Sequence, residues 1–92
     1  MASNFRILFK RKNNQSLFVQ LYGDFDGTSA HELVNFLDNR GRSYRKVAID
    51  TEGLRTIHAF ALNVFINKVK RLQQPHLKIK FTGRFNYSFI QD

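Results

Sequence analysis

A short apolar run, Val47-Ala48-Ile49, is closed by Asp50. Gly53 follows in a turn, and an amphipathic stretch then opens near His58-Ala59-Phe60-Ala61 and continues to Leu72. The segment from Lys46 to Leu72 therefore reads as strand, loop and helix, with an acid at the strand end and a helix N-terminus facing it. That sequence of elements is the half-unit of an α/β layer. In open sheets of this kind, ligands and partners gather beyond the strand ends, and the functional surface is expected there. The run is too short and too apolar to show alternation, as expected of a strand buried on both faces.

The flanking chain supplies the rest of the layer. Phe5, Ile7 and Phe9 alternate with Arg6, Leu8 and Lys10, and Leu17, Val19 and Leu21 alternate with Phe18, Gln20 and Tyr22. Both patterns are strand signals. Asn13-Asn14 marks the turn between them, since Asn tolerates left-handed backbone angles. Gly23-Asp24-Phe25-Asp26-Gly27 breaks the second pattern, and Ser29-Ala30-His31-Glu32 fits a capping box that opens a helix. Ala30, Leu33, Val34 and Leu37 form its core stripe, and Gly41 is a credible stop. The later helix is expected to bury Ala61, Leu62, Phe65, Val69 and Leu72, with Asn63, Asn67, Lys70 and Arg71 on its polar side and Phe60 heading that polar stripe. Pro75 ends it. Leu77 to Thr82 alternates as a last strand, and the stretch from Gly83 to Asp92 reads as a short helix or a docked tail. The order β-β-α-β-α-β implies right-handed parallel crossovers. The fold class is therefore α/β: a four-stranded mixed sheet with both helices on one face, in a single domain over residues 1–92.

Composition narrows the function classes. Ten Phe and 42% hydrophobic residues suit a folded chain. No Cys is present, which removes disulfides, thiolate metal sites and Cys catalysis and is compatible with the cytoplasm. No run of ~18 apolar residues would span a membrane, and the N-terminus lacks the apolar core of a signal peptide. The net charge of +8 points to a partner of acidic character. Four of the seven acids, Asp24, Asp26, Asp50 and Glu52, follow two strands, so one end of the molecule should be acidic and the remainder basic.

Those four carboxylates suit Mg²⁺ ligation, and they suit turn chemistry more simply, as acceptors of backbone amides. His31, His58 and His76 lack the spacing of a zinc site, and His58 at the second helix start has a surface or capping role as its plainest reading. No Ser-His-Asp set and no phosphate-binding glycine loop is assembled. The expectation is no metal, no cofactor and no enzyme activity. On the open sheet face, Phe18 and Tyr22 stand among Arg6, Lys10, Lys78 and Lys80, a combination that stacks and holds single-stranded RNA. An ordinary solvated face is the simpler account.

Three pieces of the chain resemble one family. Leu21-Tyr22-Gly23-Asp24-Phe25-Asp26 resembles the second strand and Gly-Asp-x-Asp turn of the STAS domains, the sulfate-transporter and anti-sigma-factor-antagonist family. Val47 to Leu54 resembles their central strand and following loop, and Ile57-His58-Ala59-Phe60-Ala61-Leu62 stands where they carry an Asp-Ser-Ser-Gly-Leu segment. The resemblance covers nearly the whole chain and implies a STAS-like, anti-sigma-factor-antagonist-like fold. In those antagonists a kinase-type anti-sigma factor phosphorylates the second Ser. Phe60 matches that position and Ala59 the first Ser, so no phosphorylation is expected there, and Thr56 in the preceding loop is a poor substitute.

The resemblance implies a bacterial, cytoplasmic regulator of transcription that works by protein–protein contact. Its partner would be a kinase-type anti-sigma factor or an ATPase subunit. The expected contact surface comprises Asp24, Asp26, Asp50, Arg55, Thr56, His58 and Phe60, with Phe60 as apolar anchor. Two alternatives stay open: nucleic-acid binding through the basic sheet face, and service as an accessory subunit of a lipid or other transporter.

Overall fold

The computed structural model describes residues 4–72, 78–85 and 89. The expected helix stop at Pro75, His76, the strand start at Leu77 and most of the stretch after residue 85 lie outside them, as does the side chain of Leu72. The elements are β1 (Arg6–Arg11), β2 (Ser16–Phe25), α1 (Gly27–Asn39), a 3₁₀ turn (Gly41–Ser43), β3 (Lys46–Ile57), α2 (Ala59–Leu72) and β4 (Lys78–Thr82). They form one four-stranded sheet in the order β1-β2-β3-β4. β1 is antiparallel to β2, whereas β2–β3 and β3–β4 are parallel. This is the expected mixed α/β sheet.

Alternation decides which face is covered. Leu17, Val19, Leu21, Val47, Ile49, Ile79 and Phe81 point to one side and are buried with Leu33, Leu37, Phe65 and Val69 of the two helices. Four Phe rings tie this core together. Phe65 meets Phe25 at 5.6 Å and Phe89 at 5.7 Å between centroids, both edge to face, and Phe89 stacks on Phe81 at 5.0 Å. Edge-to-face pairs are the favoured aromatic geometry and add about 0.5–1.5 kcal/mol each beyond burial. Among the described residues no helix covers the other side of the sheet. Lys46 and Ala48 in β3 are exposed and half-buried there, so the central strand is buried on one face only, which corrects the two-faced expectation.

Several local expectations are also corrected. β2 does not stop at Tyr22 but runs to Phe25. β3 does not end at Asp50 but continues to Ile57, and the expected loop is paired strand. Two register shifts against β2, between Gln20 and Tyr22 and between Gly23 and Asp24, each insert an extra residue into β3. Such bulges change the parity of the strand: Val47, Ile49 and Thr51 point inward, then Leu54. Ser29 is not the cap of α1. Asp26 is, its Oδ1 accepting the Ser29 amide at 3.0 Å. Asn13 acts without a left-handed backbone, its Oδ1 accepting the Gln15 amide at 2.8 Å. Gly41 follows α1 as expected but begins the 3₁₀ turn, packed between Leu37 and Val47. Ile66 joins the buried side of α2.

Candidate functional site

The surface beyond the β2 and β3 C-terminal ends is built by convergence. Gly23 adopts φ +92°, and a side chain there would run into the Asn4 carbonyl oxygen. Only a residue without Cβ lets the segment before β1 lie this close. That approach delivers the Asn4 side chain to the next residue, Asp24. Asn4 Nδ2 donates to Asp24 Oδ2 at 3.1 Å. From β3, Thr56 Oγ1 donates to Asp24 Oδ1 at 2.8 Å, and Arg55 Nη2 reaches Oδ2 at 3.4 Å. Asp24 and Thr56 are direct partners in the register, which explains the short hydroxyl contact.

These donors fix the charge on the acid. The Thr56 hydroxyl first, then the Asn4 amide and the Arg55 guanidinium, hold the Asp24 carboxyl below its ordinary value of 3.8. Asp26 is lowered as well, chiefly by the Ser29 amide and then by the Ser29 hydroxyl. The Ser29 hydroxyl, fully buried, also donates to the Asp24 carbonyl at 2.8 Å. Both acids are thus acceptors within a frame of local donors. The Arg55–Asp24 ion pair is mostly exposed and adds little to stability.

The chain then turns into α2. The His58 amide donates to the Phe25 carbonyl at 2.8 Å, pinning the helix start beside β2, and the His58 carbonyl accepts the Leu62 amide at 3.0 Å. The His58 side chain is exposed. Two residues on, the Phe60 ring is 72% exposed, the most exposed large apolar side chain among the described residues.

Of the expected site residues, Asp24, Arg55 and Thr56 are in direct contact, Asp26 caps the adjacent α1, and His58 and Phe60 open α2. Asp50 stands apart. It is opposite Gln20 and Thr82 in the sheet, four residues back from Asp24 along β2, or about 13 Å at ~3.3 Å per residue. Its Oδ1 accepts the Glu52 amide at 3.1 Å across the bulge. Among the described residues no three His, Asp or Glu side chains converge as a metal site. Asn4 is the participant that the sequence reading missed. The signal available was the Gly-Asp pair, since a glycine beside the acid marks a close backbone approach.

The fold recurs in solved proteins. The anti-sigma factor antagonist SpoIIAA in its unphosphorylated form matches with a TM-score of 0.64 and 8% sequence identity, over 83% of this chain and 71% of that one. An antisigma-factor antagonist, a STAS domain from Rhodobacter sphaeroides, matches with a TM-score of 0.62 and 16% identity, over 88% of each chain. A crystal structure of Mglu matches with a TM-score of 0.72 and 17% identity, over 84% of this chain; the chain spans only 19% of Mglu. No protein-family model matches the chain, and no curated protein does. The fold is STAS-like, as the residues of β2, β3 and the α2 start implied.

Proposed function

We propose that this chain is a non-enzymatic regulatory module, one STAS-like domain over residues 1–92, that binds a protein partner at the surface beyond β2 and β3. The observation that carries the reading is Phe60, an apolar ring left 72% exposed at the first turn of α2. Burying a whole Phe contributes about 1.5–3 kcal/mol, so a ring held out in water has most of that contribution still to gain from a partner. Aromatic side chains are enriched in the cores of interfaces for this reason. Around it, Asp24, Asp26, Arg55, Thr56 and His58 form a polar rim already ordered by its own hydrogen bonds, which lowers the ordering cost of association. Asp50, farther down the sheet, borders this surface and does not anchor it.

Two solved proteins with this fold are anti-sigma-factor antagonists, and the partner class proposed by analogy is a kinase-type anti-sigma factor or an ATPase subunit. Because Ala59 and Phe60 stand at the family's serine positions, binding would not be switched by phosphate there. Catalysis is disfavoured by the same geometry. The nearest hydroxyl–carboxylate pair is Thr56 with Asp24, and a carboxylate with a lowered pKa is a weak general base.

Replacing Phe60 with a photo-crosslinking phenylalanine analogue tests the surface. Illumination in cells should give a discrete protein adduct from position 60 and none from position 35, an exposed site on α1. Equal adduct formation at the two positions would sink the reading.

A further inference from the structure

The other end of the sheet, where β2 and β3 begin, carries a second surface. The sheet face that no described helix covers presents aligned rows. Lys10, Phe18, Ala48 and Lys80 are register partners in sequence across all four strands. One row down stand Ser16, Lys46 and Lys78. Between these rows lies an open depression of about 940 Å³, lined by Lys12, Phe18, Lys46, Ala48, Lys78 and Lys80 among others. Ala48, the small member of its row, creates it by leaving the half-buried Phe18 ring without a bulky neighbour on that side. Among the described residues none of the four lysines makes an ion pair: the pairs present are Arg42–Asp38 and Arg55–Asp24, and neither touches this face. Asp50, opposite Thr82 in the row next to Ala48 and Lys80, places one carboxylate at the rim of the depression.

We propose that this depression binds single-stranded nucleic acid, with Phe18 as a stacking platform and Lys12, Lys46, Lys78 and Lys80 as the phosphate contacts. The chemistry selects the occupant. Lysines on both sides of an aromatic ring match a polyanion that also carries flat π-faces, and a base stacks on such a ring without sequence preference. An acidic peptide supplies the charge and not the π-face. A duplex keeps its bases stacked inside and offers no free π-face to Phe18. An anionic membrane calls for several apolar side chains that protrude together, whereas on this face Phe18 is half-buried and Leu8 is the one exposed large apolar side chain among the described residues. This surface is separate from the one that holds Phe60.

Fluorescence anisotropy with a labelled oligo-uridine of about 12 nucleotides, within the site sizes known for small folds, tests the proposal. Four phosphate contacts predict a slope of log affinity against log salt of about −3 for a single strand. Lys46→Gln with Lys80→Gln should cut that slope by about half. Phe18→Leu, which keeps an apolar side chain, should weaken binding at least about fivefold with the slope unchanged. Phe60→Ser should bind the oligonucleotide like wild type, which separates this surface from the partner surface. The double lysine variant changes exposed side chains only and reads out whether or not Phe18→Leu folds normally. Three results would overturn the proposal: no binding at low salt, binding no tighter than to polyglutamate or phosphatidylserine vesicles, or a salt slope indifferent to both lysines.

Discussion

Phe60 and Phe65 differ by five residues in one helix and should differ several-fold in what they contribute to stability. Phe60 is 72% exposed, so little more than a quarter of its surface is covered. Scaled from about 1.5–3 kcal/mol for full burial, its covered part contributes well under ~1 kcal/mol. Phe65 is fully buried, with its ring against Phe25, Phe81 and Phe89. Truncating a Phe at a packed site costs roughly 3–5 kcal/mol, and a serine hydroxyl stranded there adds about 1–3 kcal/mol. A domain of this length has a total stability of only about 5–14 kcal/mol. Phe65→Ser should therefore unfold the chain or leave it barely folded, whereas Phe60→Ser should behave like wild type. The chain has no Trp, so urea denaturation followed by far-UV circular dichroism is the assay. With m near 1–3 kcal/mol per molar urea, the Phe60→Ser midpoint should move by no more than about 0.8 M. If Phe60→Ser loses as much stability as Phe65→Ser, the ring is part of the core, and the partner surface loses its anchor.

Incubation with ATP and a kinase-type anti-sigma factor should leave residues 58–62 free of phosphate by mass spectrometry; phosphate on Thr56 would mean that the switch has moved four residues upstream, into β3. Asp24 and Asp26 have lowered pKa values in the folded state, so their contribution is present above pH ~4 and disappears as pH falls through the folded values. Acid unfolding of wild type should accordingly steepen below that pH, and Asp24→Asn should show a shallower acid limb in the same circular dichroism titration. A screen for Mg²⁺-dependent phosphatase and hydrolase turnover should be blank, and a turnover abolished by Asp50→Asn would refute the non-enzymatic reading.

The sheet order and the helix faces were legible because they rest on period. Leu17, Val19 and Leu21 repeat every second residue, and Ala61, Phe65 and Val69 every fourth, and nothing in the tertiary structure overrides either pattern. The second half of β3 was not legible for a physical reason. Bulges around Thr51 and Arg55 shift inward positions to a spacing of three, so Thr51, Leu54 and Ile57 match neither strand nor helix and read as loop. The cap of α1 went to Asp26 and not Ser29 because Ser29 is drawn inward by the Asp24 carbonyl, a contact set by how β2 ends. At the candidate site, Asp24 was readable from its place after a strand and Phe60 from its place at a helix start, whereas Thr56 read as loop and stands in β3. Asn4 was not readable, since its contact spans 20 residues and depends on the backbone angle of Gly23.

The Phe25 ring touches Phe5 at 5.9 Å and Phe89 at 5.3 Å between centroids. Phe5 and Phe89, near the two extremes of the described chain, therefore meet on one side chain. A unit with that geometry can be set into a loop of a larger protein without pulling the host apart. It can equally be rewired: a linker from beyond Phe89 back to Phe5, with the chain reopened at the exposed Lys12–Gln15 turn, would leave every described strand pairing in place. The same ring makes the two ends interdependent, so a tug on either one is felt first at the centre of the core.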